Sequence, residues 1–243
     1  MPSTDSKYRH VAPTDDHDTT LLQRRPSLGE EVYDALLSRL ISLKIAPGSR
    51  IAVDSLVREL GVSQTPIRAA LIRLESEGLV MKTHNVGYSA TPMPSREQFL
   101  QIYELRMLLE PHAAALAARH FSPNDEPELQ TLLNNMERPD TGDAHTAYGK
   151  FAMQDAAFHA WIAKRSGNTL IEDTLARLHA HMHLFRVRFH ARVTQEAIAE
   201  HAQIVQALRA KNEAAASAAM LQHLQRSQKR MTPYFLPGTE AEH

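Results

Sequence analysis

The sequence predicts a mainly α-helical protein of two unlike parts, an N-terminal winged helix-turn-helix and a C-terminal all-helical antiparallel bundle of six or seven helices. Three observations lead there. Long stretches of Ala, Leu, Gln, Glu and Arg, with only 9 Gly and 6% aromatic residues, favour helix over sheet. Two short strand-like runs, residues 79–83 and 88–91, flank a turn that contains Gly87 and read as a hairpin. Pro92 and Pro94 then punctuate the chain, and everything beyond them follows a helical period.

Residues 1–27 are polar and read as a flexible tail. A winged helix-turn-helix domain is expected over 28–92. Val32, Leu36, Leu37, Leu40 and Ile41 recur at helical spacing until Pro47-Gly48 breaks the chain. A short helix over 53–60 stops at Gly61, which suits a turn that needs positive φ. Ser63 or Thr65 caps the next helix, Pro66 sits in its first turn, and Ile67, Ala70, Leu71 and Leu74 form its inward face until Gly78. The bundle is expected over 95–232, with helices at residues 96–120, 125–136, 144–166, 169–192, 194–210 and 213–231 and a tail over 233–243.

Composition removes several function classes. With 27 Lys+Arg against 28 Asp+Glu the chain is nearly neutral, and 43% hydrophobic residues allow a packed core. No apolar run approaches the roughly 20 residues that span a bilayer, so no membrane partner is expected. The first 25 residues lack the apolar core of a secretory signal, and a cytoplasmic protein is expected. Zero cysteines exclude disulfides, thiolate nucleophiles and Cys-based zinc sites. Seven basic residues face seven acidic ones over residues 28–92, so a DNA-binding reading must stand on motif and geometry rather than on charge.

In a helix-turn-helix the second helix enters the major groove of double-stranded DNA with its N-terminal residues toward the bases. With Ile67, Leu71 and Leu74 inward, Gln64, Thr65 and Arg68 point outward together. Gln pairs with adenine, Arg with guanine or phosphate, and Thr with phosphate or a thymine methyl. Arg73 lies off that face and suits the DNA backbone, and Lys82 and His84 in the wing suit the minor groove or phosphate. The runs Ala46-Pro47-Gly48-Ser49-Arg50-Ile51, Leu60-Gly61-Val62-Ser63-Gln64-Thr65-Pro66-Ile67-Arg68 and Ala70 to Val80 closely resemble the GntR family of bacterial transcription regulators. Gln64, Ala69 and Asp54 stand where members of that family commonly or sometimes carry Arg, Glu and Arg. The resemblance makes Arg68 the leading DNA contact, followed by Arg50, Thr65 and Gly87 of the wing.

A second constellation lies in the bundle. Asp155 and His159 are i and i+4 on a stripe with Phe151, Phe158 and Ile162, and a carboxylate there is costly unless something charged answers it. His201 and His223 each occupy core positions, 11 residues before and after Asn212 in the Lys211-Asn212 turn. An antiparallel hairpin puts them at one level, so four metal-type ligands can meet inside the bundle. One carboxylate and three imidazoles suit a divalent ion, with Zn²⁺ favoured and Ni²⁺, Mn²⁺ or Fe²⁺ as alternatives. His179, His181, His183, Arg186, Arg188 and His190 crowd a further helix but scatter around several of its faces. Glu110-Pro111 and Trp161 read as packing.

The stretches Glu104-Leu105-Arg106, Leu109-Glu110-Pro111, Asp155 to His159, Ser166-Gly167-Asn168, Glu200 to Ile204 and Met220 to Leu224 resemble the FCD ligand-binding domain of FadR-type members of that family. Many members with this Asp, His, His, His pattern hold a divalent metal beneath a small carboxylate effector. The resemblance carries the metal site to Asp155, His159, His201 and His223, and an effector-facing role to Arg106. A buried ion pair of Arg106 with Glu110 or Glu104 stands beside that role. The expected function is a homodimeric regulator, in this family most often a repressor, controlled by a small organic acid. The rival is a metal-dependent enzyme with a DNA-binding appendage. The sequence has no HExxH and no spare carboxylate at ligand spacing for a general base, so a non-enzyme is expected.

Overall fold

The computed structural model describes residues 27–137, 144–178 and 191–235. The expected tail before Ser27, the break at 139–142, the His- and Arg-rich run from His179 to His190 and residues 236–243 lie outside the described residues.

The chain begins with α1 (Leu28–Ile41), capped by Ser27, whose hydroxyl accepts from the Glu30 amide while Glu30 reaches back to the Ser27 amide. Ser27, read from sequence as tail, is therefore the start of the fold. The expected apolar face, Val32, Leu36, Leu37, Leu40 and Ile41, is buried. After β1 (Arg50–Ile51) come α2 (Val53–Leu60) and α3 (Gln64–Ser76), joined through Gly61 at φ 65°. Ser63, not Thr65, occupies the cap position of α3, although its hydroxyl makes no cap bond. β2 (Val80–Thr83) and β3 (Gly87–Ala90) form the hairpin. The sheet is three-stranded and antiparallel in the order β1-β3-β2, with Arg50 opposite Ser89 and Val80 opposite Ala90. β1 went unpredicted because two residues are too few to show alternation.

The second part is helical: α4 (Arg96–His120), a 3-10 turn (Pro123–Asp125), α5 (Glu126–Glu137), α6 (Ala144–Arg165), α7 (Thr169–Leu178), α8 (Ala191–Arg209) and α9 (Glu213–Met231). α4 opens on a Ser95–Gln98 capping box. Arg192, expected to end the preceding helix, instead belongs to the first turn of α8. α8 and α9 turn over at Lys211, whose φ is 52°, and the Asn212 side chain caps α9 through the Ala215 amide. Pro233, Tyr234 and Phe235, expected as tail, close a 3-10 turn, and the Phe235 ring stacks on Phe99 at 4.2 Å.

The main core of the bundle gathers Ala114, Ala118, Leu129, Phe158, Ile162, Ile204, Leu208, Met220 and Leu224. The winged-helix core contains three residues from the other part: Phe151 and Ala152 of α6, and Ala197 of α8. These two helices thus run from the core of the winged helix into the core of the bundle.

Candidate functional site: a buried Asp-His quartet behind a helix-turn-helix face

The α3 face is built as its sequence implies. Ile67, Leu71 and Leu74 are fully buried against α1, which leaves Gln64, Thr65 and Arg68 exposed together. The Gln64 amide donates to Asp54 on α2 at 2.9 Å, and Arg68 donates to the Gln64 carbonyl at 3.3 Å. Asp54 is visible in the sequence only as a departure from a family pattern; the packing of α2 on α3 makes it a partner of Gln64 on this exposed face. Arg73 is turned the other way, with its guanidinium 3.6 Å over the Tyr33 ring and its Nε donating to Glu77. Arg50 on β1 and Gly87, Lys82 and His84 of the wing are exposed, and Gly87 holds φ 103°, a conformation that glycine alone adopts cheaply.

The quartet assembles from three helices. α6 supplies Asp155 and His159 one turn apart, α8 supplies His201, and α9 supplies His223. One ligand atom from each lies within 4.8 Å of every other, and all four residues are buried. The imidazole centroids of His201 and His223 are 4.7 Å apart, as equal distances from the Asn212 turn require, and His201 Nε2 is 3.3 Å from the Asp155 carboxylate. Phe158 covers the His201 ring at 4.5 Å.

Two carboxylates absent from the sequence reading of this site complete it. Glu110 of α4 lies 2.5 Å from His159 Nδ1 and also accepts the Arg106 Nε–H at 2.6 Å. Glu200 of α8 lies 2.8 Å from His223 Nδ1 and is held by both terminal nitrogens of Arg230, at 2.7 and 2.9 Å. Glu110 is thus more than packing, and its pairing with Arg106 realises the ion pair that stood open for that residue. An Arg at i and a Glu at i+4 near a core histidine was the available signal for Glu110. Glu200 offered only its position next to His201. Pro111 and Trp161 are buried, as expected of packing residues.

The electrostatics keep these groups in defined states. Burial opposes the Arg106 charge, but the Glu110 carboxylate outweighs it and raises the guanidinium above its ordinary value. Burial likewise opposes ionised Glu200, yet the His223 and Arg230 bonds hold its carboxyl at about 2. Burial pushes the His223 imidazole below its ordinary range and overcomes the opposing pull of Glu200, so the ring is neutral. An ionised carboxylate only accepts, so Nδ1 of the neutral His223 ring carries the proton and its Nε2 keeps the lone pair; Glu110 faces Nδ1 of His159 in the same way. Three imidazoles and one nearby carboxylate are the donor set a borderline divalent cation takes, and the residues fit such an ion.

A winged helix whose core is shared with a helical domain containing a buried Asp-His cluster defines a two-part, DNA-binding transcription regulator. The chain belongs to the gntR family of bacterial regulatory proteins, whose pattern it matches over residues 28–89, with an FCD domain over residues 101–226. It is 29% identical over 193 residues to the Nta operon transcriptional regulator of Aminobacter aminovorans, covering 76% of this chain and 86% of that one. To the Uxu operon transcriptional regulator of Escherichia coli it is 27% identical over 234 residues, covering 84% and 87%. The E. coli McbR/YncC structure shares the fold with a TM-score of 0.63 at 24% identity, over 87% of this chain and all of that one. Among the described residues no helix is long and apolar enough to cross a membrane.

Proposed function

We propose that the protein is a homodimeric, cytoplasmic repressor whose hold on operator DNA is set by a small organic acid bound at a divalent ion between Asp155, His159, His201 and His223. The observation that supports this most is the convergence of one carboxylate and three imidazoles within 4.8 Å inside an apolar bundle. Zn²⁺ suits this donor set best, with Ni²⁺, Mn²⁺ or Fe²⁺ able to replace it. When bound, such an ion supplies a Lewis-acidic anchor for a carboxylate oxygen. Over one carboxylate and three neutral imidazoles it leaves one positive charge in a buried site, where uncompensated charge is costly. An acid neutralises that charge, whereas a neutral ligand does not and a cation is repelled. The ion therefore supports the acid reading more strongly than Arg106, whose charge Glu110 already answers. An adjacent hydroxyl adds a second donor, which favours hydroxy and sugar acids.

On DNA, Gln64, Thr65 and Arg68 take the major groove, Arg50 the backbone, and Gly87 lets the wing approach closely; Arg73, expected at the backbone, is instead held by Tyr33 and Glu77 on the far side of α3. The link between the two ends runs along α6 and α8. Phe151 and Ala197 belong to the winged-helix core, while Asp155 and His201 lie one turn further on the same helices. An acid whose contacts differ between two arrangements of these helices shifts the balance between them, and so shifts the reading face.

Calorimetry with a panel of carboxylates tests the pocket on metal-loaded, metal-stripped and Arg106→Lys protein. The expected result is binding that disappears with the metal and weakens in Arg106→Lys, which keeps the charge but loses the fork. Tightest binding by a neutral or cationic compound, or carboxylate binding indifferent to the metal, contradicts the reading. Unchanged binding in Arg106→Lys alone removes Arg106 as an effector contact.

A further inference from the structure

The same three-residue sequence of contacts occurs twice around the quartet, on different helices. Arg106 holds Glu110, which takes the Nδ1–H of His159; Arg230 holds Glu200, which takes the Nδ1–H of His223. In each case the arginine already satisfies the carboxylate's charge, so the bond to the imidazole is not needed to compensate a buried anion. Its consequence is geometric. A ring that donates from Nδ1 to a fixed acceptor cannot rotate or change tautomer without breaking that bond, and its Nε2 stays available to a cation. Neither carboxylate belongs to the quartet itself, and both are buried, at 4% and 6% exposure, where side chains are held by their neighbours.

We infer that Glu110 and Glu200 are positioning residues of the cation site, each anchored by an arginine and each fixing the Nε2-ligating form of one histidine. The inference rests on the metal reading above. Carboxylates behind ligand imidazoles orient the ring and raise its basicity, and their loss typically lowers metal affinity 10- to 100-fold. The two differ in surroundings. Arg106 is enclosed in the bundle, whereas Arg230 borders a cleft of about 410 Å³ between α8 and α9, lined also by Glu196, Gln203, Arg226 and Lys229. Replacing Glu200 therefore leaves a cation that water can reach, and Glu200 is the better residue to change.

The test uses the full chain with Zn²⁺ as the probe. Competition with a chromogenic chelator gives the affinity, and long-range nitrogen–proton spectra of the imidazoles in metal-free protein show which ring nitrogen carries the proton. Glu200→Ala is expected to weaken Zn²⁺ binding about 10- to 100-fold and to turn His223 into a mixture of tautomers. Glu200→Gln, whose amide oxygen still accepts from Nδ1, is expected to keep the tautomer and recover part of the affinity. A purely structural role would lower thermal stability in these variants and leave affinity and tautomer as in the wild type; that result overturns the inference and spares the metal reading. Should Glu200→Ala not fold, Glu200→Gln and Arg230→Ala carry the same question, and wild-type affinity in both overturns the inference. A wild-type chain that takes up no Zn²⁺ overturns the metal reading and this inference with it.

Discussion

At the scale of single residues, Tyr33 shows how one hydroxyl fixes the back of α3. It donates to Glu77 at 2.6 Å, and Arg73 of α3 lies over its ring. Burial, and then the Glu77 bond, raise the phenol well above its ordinary value of 10.0. Above pH 10 an unfolded tyrosine gives up its proton while Tyr33 in the fold keeps it. The unfolded chain then binds fewer protons, so this contribution is complete below that pH and is lost as pH rises beyond it. Tyr33→Phe should cost about 1 kcal/mol near neutrality, as for a typical hydrogen bond, and should lose stability less steeply than wild type above pH 10. Urea unfolding on either side of that pH checks this, and parallel slopes would contradict it. The contrast with the quartet shows what sequence could reveal. Asp155, His159, His201 and His223 were legible because helical period and distance from a turn are properties of the chain itself. Glu110 and Glu200 were not, because which carboxylate meets which imidazole depends on how α4, α8 and α9 pack.

At the scale of elements, α6 joins the two parts. Its Phe151 is 4% exposed and lies in the winged-helix core, although it belongs by sequence to the bundle. By helical period Phe151 shares the stripe that carries Asp155 and His159; that it leaves the bundle core for the other domain follows only from where α1 docks. Phe151→Ala should remove the contact that makes the two parts unfold together, at about 3–5 kcal/mol for a buried Phe truncation. Trp161, the sole tryptophan, is buried in the bundle, so its fluorescence follows that part while circular dichroism follows all helices. In wild type the two signals should change together with denaturant. In Phe151→Ala the dichroism should begin to fall first, because the winged helix melts earlier. Coincident transitions with an unshifted midpoint would show that the joint lies elsewhere. α2 and α3 end close to where Gly61 and Gly78 place them, whereas α1 stops at Ile41, short of the Pro47-Gly48 break. β1 did not show, since its two residues are strand only through their pairing with β3.

For the whole molecule, the proposed coupling is that operator binding at α3 answers to the quartet in the bundle, through helices common to both cores. The most direct measurement is fluorescence anisotropy of the whole 243-residue chain on duplex DNA that the protein itself has enriched from a random pool. Three forms are compared, metal-loaded, metal-stripped and His201→Ala/His223→Ala, each titrated with the acid found to bind tightest, with Arg68→Ala as the control for contact at the reading face. The acid is expected to change operator affinity only in the metal-loaded form, and Arg68→Ala to lower affinity by about 1–3 kcal/mol in every state. Affinity that is the same in all three forms, with and without acid, while Arg68→Ala still weakens it, would contradict the claim: the protein would read DNA without listening to the pocket.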